Sequence, residues 1–416
     1  MGCQIIMRVA VVGSGISGLT VAYRLTKAGH EVFVFEAADY VGGHTHTVNV
    51  DGIPVDTGFI VFNEHTYPHF IALLAELNVE TQDTDMSFSV YDPALDFQYA
   101  GGSLNGVFAD RRHLIDPGFY RLLYDISRFN RLAAASLHDD DTTLTLGAFL
   151  KKHRFHLNLS QRYLYPLISS LWSTPPAMIS EMPLRFIAHF FYNHALLKLR
   201  PDIAWKVIKR GSVSYVNALL KTLMNPVQLD TPVTRVLQTQ TNCQVFNDKG
   251  LLGEFDRVVL ATHSEDALRI VDKPTDLMRS ILSAFPYQDN DVILHQDSRL
   301  LPSNPRAWAS WNYLLTQDES THAILTYNMN RLQSIPATTP FYVSLNAAHL
   351  IAPEKIIQRF RYSHPQYTPQ SLAAQSRQQE LNNEGLIYFC GAYWGFGFHE
   401  DGVKSALAVC DQFKHA

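Results

Sequence analysis

The stretch that decides the fold reads Arg8-Val9-Ala10-Val11-Val12-Gly13-Ser14-Gly15-Ile16-Ser17-Gly18-Leu19-Thr20. A run of β-forming residues enters a glycine turn, and the glycines have the spacing G-x-G-x-x-G. In this pattern Gly13 permits the tight turn, Gly15 lets a pyrophosphate approach the backbone, and Gly18 lets the helix pack closely on the strand. We therefore predict a strand, a turn and a helix that begins near Ile16.

A dinucleotide site is predicted at this turn. The unpaired N–H groups at the start of the helix would hold a pyrophosphate, together with the turn residues Ser14, Ile16 and Ser17. The next strand, residues 31–35, runs into Glu36 and Ala37. An acid at the end of the second strand is placed to accept hydrogen bonds from an adenosine ribose.

Composition favours a globular protein of two lobes. The chain has 416 residues, of which 46% are hydrophobic and 18% charged, so an ample core can form. The net charge of −5 argues against nucleic acid as a partner. Four widely spaced cysteines show no metal-binding pattern and predict reduced thiols in a cytoplasmic protein, with no metal.

The sequence predicts neither a signal for secretion or acylation nor a membrane span. No signal peptide pattern precedes the first strand, and Met1-Gly2-Cys3 lacks the Ser or Thr that an acylation signal needs at position 6, which is Ile6. No apolar run of about 18 residues exists, so we expect no transmembrane helix, although peripheral contact with a membrane stays open.

A second glycine pair, Gly42-Gly43, follows the ribose acid and offers another close approach to the backbone. It leads into a predicted hairpin, residues 47–50 and 53–56 around Asp51-Gly52, and then into Thr57-Gly58. The fingerprint, Glu36, the glycine pair and Val55-Asp56-Thr57-Gly58 together resemble the FAD-dependent amine-oxidase, phytoene-desaturase and protoporphyrinogen-oxidase superfamily.

The resemblance implies FAD as cofactor and an α/β fold. Its parts would be a Rossmann-like FAD-binding domain of the glutathione-reductase type and a discontinuous α+β substrate domain. We expect the FAD-binding domain at residues 1–66, 205–284 and 380–416, and the substrate domain at 67–204 and 285–379. The superfamily usually has Arg after the glycine pair, where this chain has His44. Residues implied at the cofactor from this region are Gly42, Gly43, His44, Thr45, Thr57 and Gly58.

The middle of the chain, from about residue 64 to 208, is predicted to be mainly helical, with helices at 70–77, 120–132 and 144–155. Two bulky blocks, 163–168 and 186–192, are either the lining of an apolar cavity or plain core. We expect His189 to be a core histidine. A helix over 215–223 and strands over 231–237, 243–246 and 255–263 follow. For the strand over 231–237, the resemblance implies that Val233 contacts adenine. For the strand over 255–263, it implies that Ala261 and Thr262 belong to the strand that closes the cofactor domain.

Residues 285–363 predict an antiparallel sheet, with strands within 292–295, 307–313, 323–330 and 341–345. Aromatic residues in these strands could form a wall over a flavin or a core, and the sequence leaves both open; they are Trp308, Trp311, Tyr313 and Tyr327.

The last segment contains the second strong signal. A strand ends at Gly391, a glycine-aromatic loop follows, and a helix begins near Asp401. Its N-terminus could stabilise negative charge on a reduced flavin. The acid that usually follows this glycine is replaced by Ala392. The resemblance implies cofactor contacts for Gly391 and for the start of the helix, namely Phe398, His399, Glu400, Asp401, Gly402 and Val403.

Nearly the whole chain is similar to a bacterial group of FAD-dependent oxidoreductases associated with cyclopropane- or modified-fatty-acid synthesis. The motifs that carry this similarity are 86–90, Trp172-Ser173-Thr174-Pro175, 308–313, 328–333 and 391–402. It implies an FAD-dependent oxidoreductase that takes a hydride from a small-molecule or lipid substrate, an apolar one such as a fatty-acyl chain. Alternatives are an amine oxidase, a flavin-dependent mutase and a non-catalytic lipid-binding protein. No catalytic residue is assigned; His263, His295 and His399 can titrate near neutrality, but a structural role is expected for each.

Overall fold

The computed structural model describes residues 6–138, 143–198, 203–316, 323–336 and 338–413. Cys3 and the Met1-Gly2-Cys3 segment therefore lie outside the described residues. The strands are β1 (Arg8–Val12), β2 (Glu31–Phe35), β3 (Thr47–Val50), β4 (Ile53–Asp56), β5 (Val61–Asn63), β6 (Thr81–Thr84), β7 (Phe88–Asp92), β8 (Phe97–Ala100), β9 (Trp205–Ile208), β10 (Arg235–Gln238), β11 (Cys243–Asn247), β12 (Gly250–Phe255), β13 (Arg257–Leu260), β14 (Tyr287–His295), β15 (Trp311–Leu314), β16 (Ile324–Asn328), β17 (Tyr342–Leu345), β18 (Ile356–Pro365) and β19 (Ile387–Phe389).

Helices lie between these strands along the described chain. The α-helices are α1 (Ile16–Lys27), α2 (Pro68–Glu76), α3 (Leu104–Val107), α4 (Pro117–Ser136), α5 (Leu146–Lys152), α6 (Leu157–Leu159), α7 (Tyr165–Trp172), α8 (Pro176–Ile179), α9 (Leu184–Asn193), α10 (Val213–Leu220), α11 (Ser264–Ile270), α12 (Asp276–Leu282), α13 (Met329–Leu332), α14 (Pro369–Gln375), α15 (Gln378–Asn382) and α16 (His399–Gln412). Shorter helical segments are 3-10 turns at Arg111–Ile115, Ser298–Leu300, Pro305–Ala307, Ala348–Leu350, Pro353–Lys355 and Ala392–Trp394, and a π-helical turn at Ser160–Leu164.

A four-stranded parallel sheet with the order β19-β13-β1-β2 is built from three distant segments of the chain. Side chains of β1 alternate between two cores. Ala10 and Val12 pack toward the antiparallel β10-β11-β12 sheet, whereas Val9 and Val11 pack toward α1 and α16. Covering both faces in this way is what a parallel sheet requires. The predicted Rossmann-like α/β fold is confirmed, while the domain boundaries stay a prediction.

A seven-stranded sheet has the order β18-β14-β17-β16-β15-β7-β8. Its neighbours are antiparallel, as predicted for residues 285–363, except for the parallel pair of β15 and β7. The aromatic residues Trp311 and Tyr313 are buried in the core on this sheet, and Tyr327 packs against that core. Their position therefore matches the core interpretation. Trp308 is half-buried and donates from Nε1 to the Pro302 carbonyl at 2.8 Å.

The segment 64–208 is mainly helical, as predicted, and it also contains β6, β7, β8 and β9. Asp92 closes the hairpin of β7 and β8 by accepting from the backbone N–H groups of Ala94 and Leu95. One local prediction was wrong in its bounds. The strand predicted over 231–237 begins only at Arg235. Pro232 lacks an N–H for a strand ladder, and the Thr231 N–H pairs with the Glu36 carbonyl instead.

The helices of the middle segment pack around an aromatic core. The predictions over 70–77, 120–132 and 144–155 correspond to α2, α4 and α5. Of the two bulky blocks, 186–192 lies in α9, and its Phe186, Phe190 and Phe191 are buried in this core. His189 is only half-buried, so the prediction of a core histidine was wrong. Within the described residues, no helix is long and apolar enough to span a bilayer.

Candidate flavin site

The three glycines of the first turn differ in what surrounds them. Gly13 has φ +98°, and a Cβ on it would lie 2.7 Å from the Ala261 carbonyl oxygen. A Cβ on Gly18 would lie 1.9 Å from the Gly13 carbonyl oxygen. Gly15 has no heavy atom within 4 Å of the equivalent position. Gly13 and Gly18 are thus required by the protein's own packing, whereas Gly15 borders open space at the N-terminus of α1, where a pyrophosphate would bind.

The Glu36 carboxylate lies at the same turn. One oxygen accepts from the backbone N–H of Ser14 at 2.8 Å and from its hydroxyl at 2.6 Å, and the other accepts from the Ala38 N–H at 2.9 Å. Ala37 between them is exposed. The acid is thus held in place by the fingerprint turn, as a ribose acceptor would need to be.

The second glycine pair packs directly on the first turn. Gly42 forms an isolated bridge with Gly15, and a Cβ on Gly43 would lie 3.1 Å from the Gly15 Cα. Gly42 has φ +128° and Gly43 has φ +59°, so both adopt backbone conformations that favour glycine. The two glycine motifs therefore form one continuous backbone surface.

His44 follows this pair and meets two other histidines. Its ring centroid lies 6.0 Å from that of His263 and 5.4 Å from that of His364. The ring bonds to the backbone of Ser363, but its Nε2 is buried without a hydrogen-bond partner. Burial lowers the pKa of His44 and of His263 to about 4 and that of His364 to about 3. All three imidazoles are therefore neutral at pH 7.

A second hydrogen-bonded group joins the start of α16 to the glycine-pair loop. The His399 Nε2 lies 2.9 Å from the Thr45 hydroxyl and 3.1 Å from the Tyr215 hydroxyl, and these two hydroxyls also contact each other. The His399 ring stacks on Phe59 with centroids 3.5 Å apart. Burial holds the pKa of His399 well below its usual range. His399 is fully hydrogen-bonded at Nε2, as a structural histidine would be.

The N-terminus of α16 lies against that of α1. A Cβ on Gly402 would come within 2.9 Å of Ile16 and of Ser17, and Val403 is buried with Ile16. Two helix N-termini thus converge, and each carries a partial positive charge. The first-turn acids have other partners. Glu400 accepts from the backbone N–H groups of His69 and Phe70, so its carboxylate points toward α2.

The other predicted site residues have contacts within the protein. Ala261 donates its N–H to the Val12 carbonyl at 2.8 Å, and Thr262 lies beside Gly13. The Gly391 N–H donates to the Ser405 hydroxyl at 3.0 Å. Gly58 packs on the His44 carbonyl, and the Thr57 hydroxyl lies 2.8 Å from the Tyr362 hydroxyl. Val233 packs against the core of the parallel sheet.

His295 forms its hydrogen bonds with residues that are not predicted site residues. Its Nε2 lies 2.8 Å from the Ser344 hydroxyl, and its Nδ1 accepts from the Asp297 N–H at 3.0 Å. Both ring nitrogens are therefore satisfied within the sheet, as expected for a structural histidine. No group of three or more metal-binding side chains occurs in the described ranges.

Four residues that lie beside the predicted site residues were not predicted from the sequence. Tyr215, Tyr362 and His364 come from distant elements, and Ser173 places its hydroxyl 2.9 Å from the His364 Nδ1. Ser173 has φ +54° at the end of α7, an uncommon conformation for serine. Its presence in the Trp172-Ser173-Thr174-Pro175 motif was the one available signal; the other three residues belong to no motif that marks a site.

Comparison with known proteins identifies the family. The model for flavin containing amine oxidoreductases matches residues 16–294. The chain belongs to this family. Flavin amine oxidoreductases carry FAD, and the cleft fits it: the open space at Gly15, the held acid Glu36, two converging helix N-termini and the unpartnered His44 Nε2 all suit a long phosphorylated ligand.

The proteins to which this chain is similar carry names of several activities. A Mycobacterium tuberculosis protein named as a flavin-containing monoamine oxidase is 46% identical over 76 residues, which are 18% of this chain and 16% of that protein. A putrescine oxidase double mutant superposes with a TM-score of 0.72 at 16% identity, over 99% of this chain and 100% of that one. A CLA-producing fatty acid isomerase from P. acnes gives 0.69 at 16% identity, over 98% of both chains. The predicted fold is thus shared along the whole chain, whereas the assignment of single residues to FAD stays a prediction.

Proposed function

We propose that this chain is an FAD-dependent oxidoreductase that oxidises an apolar substrate, with a fatty-acyl chain as the substrate class. When bound, FAD would supply the chemistry by accepting a hydride, which is one proton with two electrons, from a substrate C–H bond, and the oxidised substrate would lose a further proton to solvent. The chain's own residues would bind the acyl chain, orient it and keep water away. The family membership supports the redox part of this proposal.

The observation that carries the proposal is an aromatic cluster against the glycine-aromatic loop before α16. Phe186 stacks on Tyr367 with centroids 4.4 Å apart and lies 5.0 Å from Phe396. Phe190 stacks on Phe398 with centroids 5.0 Å apart. Phe396 and Phe398 are half-buried and lie just before the helix whose N-terminus meets that of α1, so this apolar cluster lies next to the predicted flavin site. Such a cluster would suit a hydrocarbon chain.

The neutral histidines near the predicted flavin site support a substrate whose reacting group is uncharged. His44, His263 and His364 are neutral, since burial lowers the pKa of each. The carboxylates nearest the loop already have partners: Asp401 accepts from the Phe398 N–H at 3.0 Å, and Glu400 bonds to α2. A cationic amine would therefore find no free carboxylate among these residues. The relatives named as amine oxidases keep an amine as the second candidate.

The test is reduction of the flavin without oxygen. Purified holoenzyme would be mixed anaerobically with fatty acids, with phospholipid extract and with amines, and flavin absorbance followed. We expect bleaching by the lipids and none by amines. Bleaching by amines alone would overturn the acyl substrate and leave an amine oxidase.

A matched pair of variants tests the aromatic cluster. Phe186→Leu alters the wall beside Phe396, whereas Phe149→Leu alters the same core away from the loop, where Phe149 contacts Phe129 and Phe155. Both should lose similar stability, about 1 kcal/mol. Only Phe186→Leu should slow bleaching by lipid, by about tenfold, since about 1.4 kcal/mol of transition-state positioning corresponds to that factor. Equal rates in the two variants would contradict the proposal.

Product analysis separates the remaining alternatives. A product isomeric with the substrate, formed without net electron transfer, would indicate a mutase. A purified protein without flavin absorbance would support a lipid-binding role.

A cytoplasmic location also forms part of the proposal. Cys243 and Cys390 are buried free thiols, and burial raises the pKa of Cys243 to about 12. Such thiols are typical of a reducing compartment. Cell fractionation would test this.

A further inference from the structure

One surface of the helical lobe exposes large apolar side chains at high density. We name it the α4 face and define it by Leu95, Leu104, Leu114, Ile115, Tyr120 and Tyr124. Leu104 is 79% exposed, Ile115 86% and Tyr124 60%. Single exposed apolar residues are ordinary, but six within 30 residues of chain are a contiguous feature that calls for a partner.

Hydrogen bonds and ring contacts join these residues into one surface. The Tyr120 hydroxyl donates to the Leu114 carbonyl at 3.1 Å, and the Tyr120 ring lies 6.2 Å from that of Phe108 at the end of α3. Arg112 bonds to Asp96, which is the neighbour of Leu95 in the β7–β8 turn, at 2.7 Å. Tyr120 and Tyr124 are four residues apart and therefore lie on the same side of α4.

Among the described residues around the α4 face, basic side chains without an ion pair outnumber acidic ones, which are Asp92 and Asp116 and which accept from backbone N–H groups. Asp96 and Asp110 are paired with Arg112, Asp125 is paired with Arg121, and Asp116 caps α4. Asp139, Asp140 and Asp141 lie outside the described residues. Basic side chains that form no ion pair with a described residue flank the face; they are Arg111, Arg128, Arg131, Lys151, Lys152 and Arg154.

Lys151, Lys152 and Arg154 lie close to the α4 face because their chain neighbours contact Arg128 of α4. Arg128 follows Tyr124 by one turn of α4, donates to the His153 carbonyl at 2.7 Å and covers the Phe155 ring at 4.5 Å. The end of α5 and the exposed Leu157 thus continue the surface.

We propose that the α4 face is a docking surface for an anionic lipid bilayer. Leu114 and Ile115 would enter the acyl boundary, the tyrosines would lie at the headgroups, and the flanking Arg and Lys side chains would pair with lipid phosphates. A second copy of the chain suits the face less well, because a symmetric contact would bring the same unpaired basic residues together.

The inner side of α4 gives this surface a link to the proposed substrate site. Phe129 and Ala133 of the same helix are buried in the core that contains Phe186, Phe190 and Tyr367. Docking would therefore hold the aromatic lobe at the membrane from which acyl chains come. Membrane binding does not depend on the proposed oxidation, since vesicle binding is measured without turnover.

The experiment is sedimentation of holoenzyme with vesicles of phosphatidylcholine alone and with one third phosphatidylglycerol. We expect binding to the anionic vesicles, weakened by high salt. Leu114→Glu/Ile115→Glu should reduce the binding constant at least about tenfold, since two apolar side chains lose their insertion. The control Met224→Glu/Leu251→Glu changes two exposed apolar residues outside the face and should bind as the wild type does.

Three results would overturn the proposal. One is the absence of binding to both vesicle types, and a second is an equal loss of binding in the control variant. The third is a wild-type dimer in sedimentation velocity that dissociates in Leu114→Glu/Ile115→Glu while vesicles bind neither protein, which would make the α4 face a subunit interface. Thermal unfolding and flavin content, measured for each variant, establish that both pairs fold.

Discussion

The ring centroids of His44 and His364 lie 5.4 Å apart in the flavin cleft, and both imidazoles are neutral. The His364 Nδ1 lies 2.9 Å from the Ser173 hydroxyl, whereas the His44 Nε2 is buried without a partner. An unsatisfied buried polar atom costs about 1–3 kcal/mol, so it marks a position where a ligand atom would be stabilising. We infer that this nitrogen pairs with bound cofactor or substrate.

His44→Leu should consequently lower the stability of the apoprotein by no more than about 1 kcal/mol, because removal of the unpartnered Nε2 offsets the loss of the bond between the ring and the Ser363 backbone. FAD affinity should fall about tenfold if the partner is the cofactor, since one hydrogen bond of about 1.4 kcal/mol corresponds to that factor. Thermal unfolding of apoprotein and fluorescence titration with FAD measure the two effects. Unchanged FAD affinity together with an unchanged KM for the substrate would refute the inference.

His295→Leu is the matched control. It removes an imidazole whose two nitrogens bond to the Ser344 hydroxyl and the Asp297 N–H. Leaving these groups buried and unpaired should lower the free energy of unfolding by about 2–3 kcal/mol, with no specific effect on FAD affinity.

The glycine fingerprint predicts a second contrast. Gly15→Ala places a methyl group in open space, so the apoprotein should fold normally and yet lose FAD, and Gly15→Val should lose it more completely. Gly18→Ala places a methyl group 1.9 Å from the Gly13 carbonyl oxygen, which should destabilise the fold itself. Far-UV circular dichroism, thermal unfolding and bound-flavin absorbance distinguish the cases. Normal flavin content in Gly15→Val would contradict the site.

The parts of the fold that follow from local sequence were predicted well. β1, the glycine turn and α1 have both the right residue types and the right spacing, and Glu36 follows β2 as the pattern requires. The hairpin of β3 and β4 follows from Asp51-Gly52, whose φ values of +51° and +86° are those of a tight hairpin turn.

Other features could not be predicted because they depend on distant contacts. β7 pairs with β15, more than 200 residues away, and neither segment shows this partner in its own pattern. Likewise, Tyr215 reaches His399 and Thr45 only because α10 packs beside the start of α16. Trp311 and Tyr313 were also undecided from the sequence, because aromatic residues suit both a wall over a flavin and a core. The pairing of β15 with its neighbouring strands buries both side chains in the core.

The pH dependence of stability provides the last prediction, through Asp401. Its side chain is buried, and this burial raises its pKa to about 7, although the backbone N–H groups of Phe398 and Phe396 oppose the shift. The folded state therefore binds the proton more tightly than the unfolded state, so the stabilisation is full below the ordinary pKa of 3.8 and is lost as the pH rises through 7. Asp401→Asn keeps an oxygen acceptor for Phe398 and removes the titration.

Between about pH 5 and 8 the wild type should lose about 2–3 kcal/mol of unfolding free energy relative to Asp401→Asn, from about 1.4 kcal/mol per pH unit. Denaturant unfolding of both proteins across this range measures the difference, in which the contributions of the buried histidines cancel. Asp297→Asn should show the opposite sign, because Arg299 holds the pKa of Asp297 well below its usual range, and that stabilisation is lost as the pH falls. Parallel pH profiles of the wild type and Asp401→Asn would show that this carboxyl group does not titrate near neutrality.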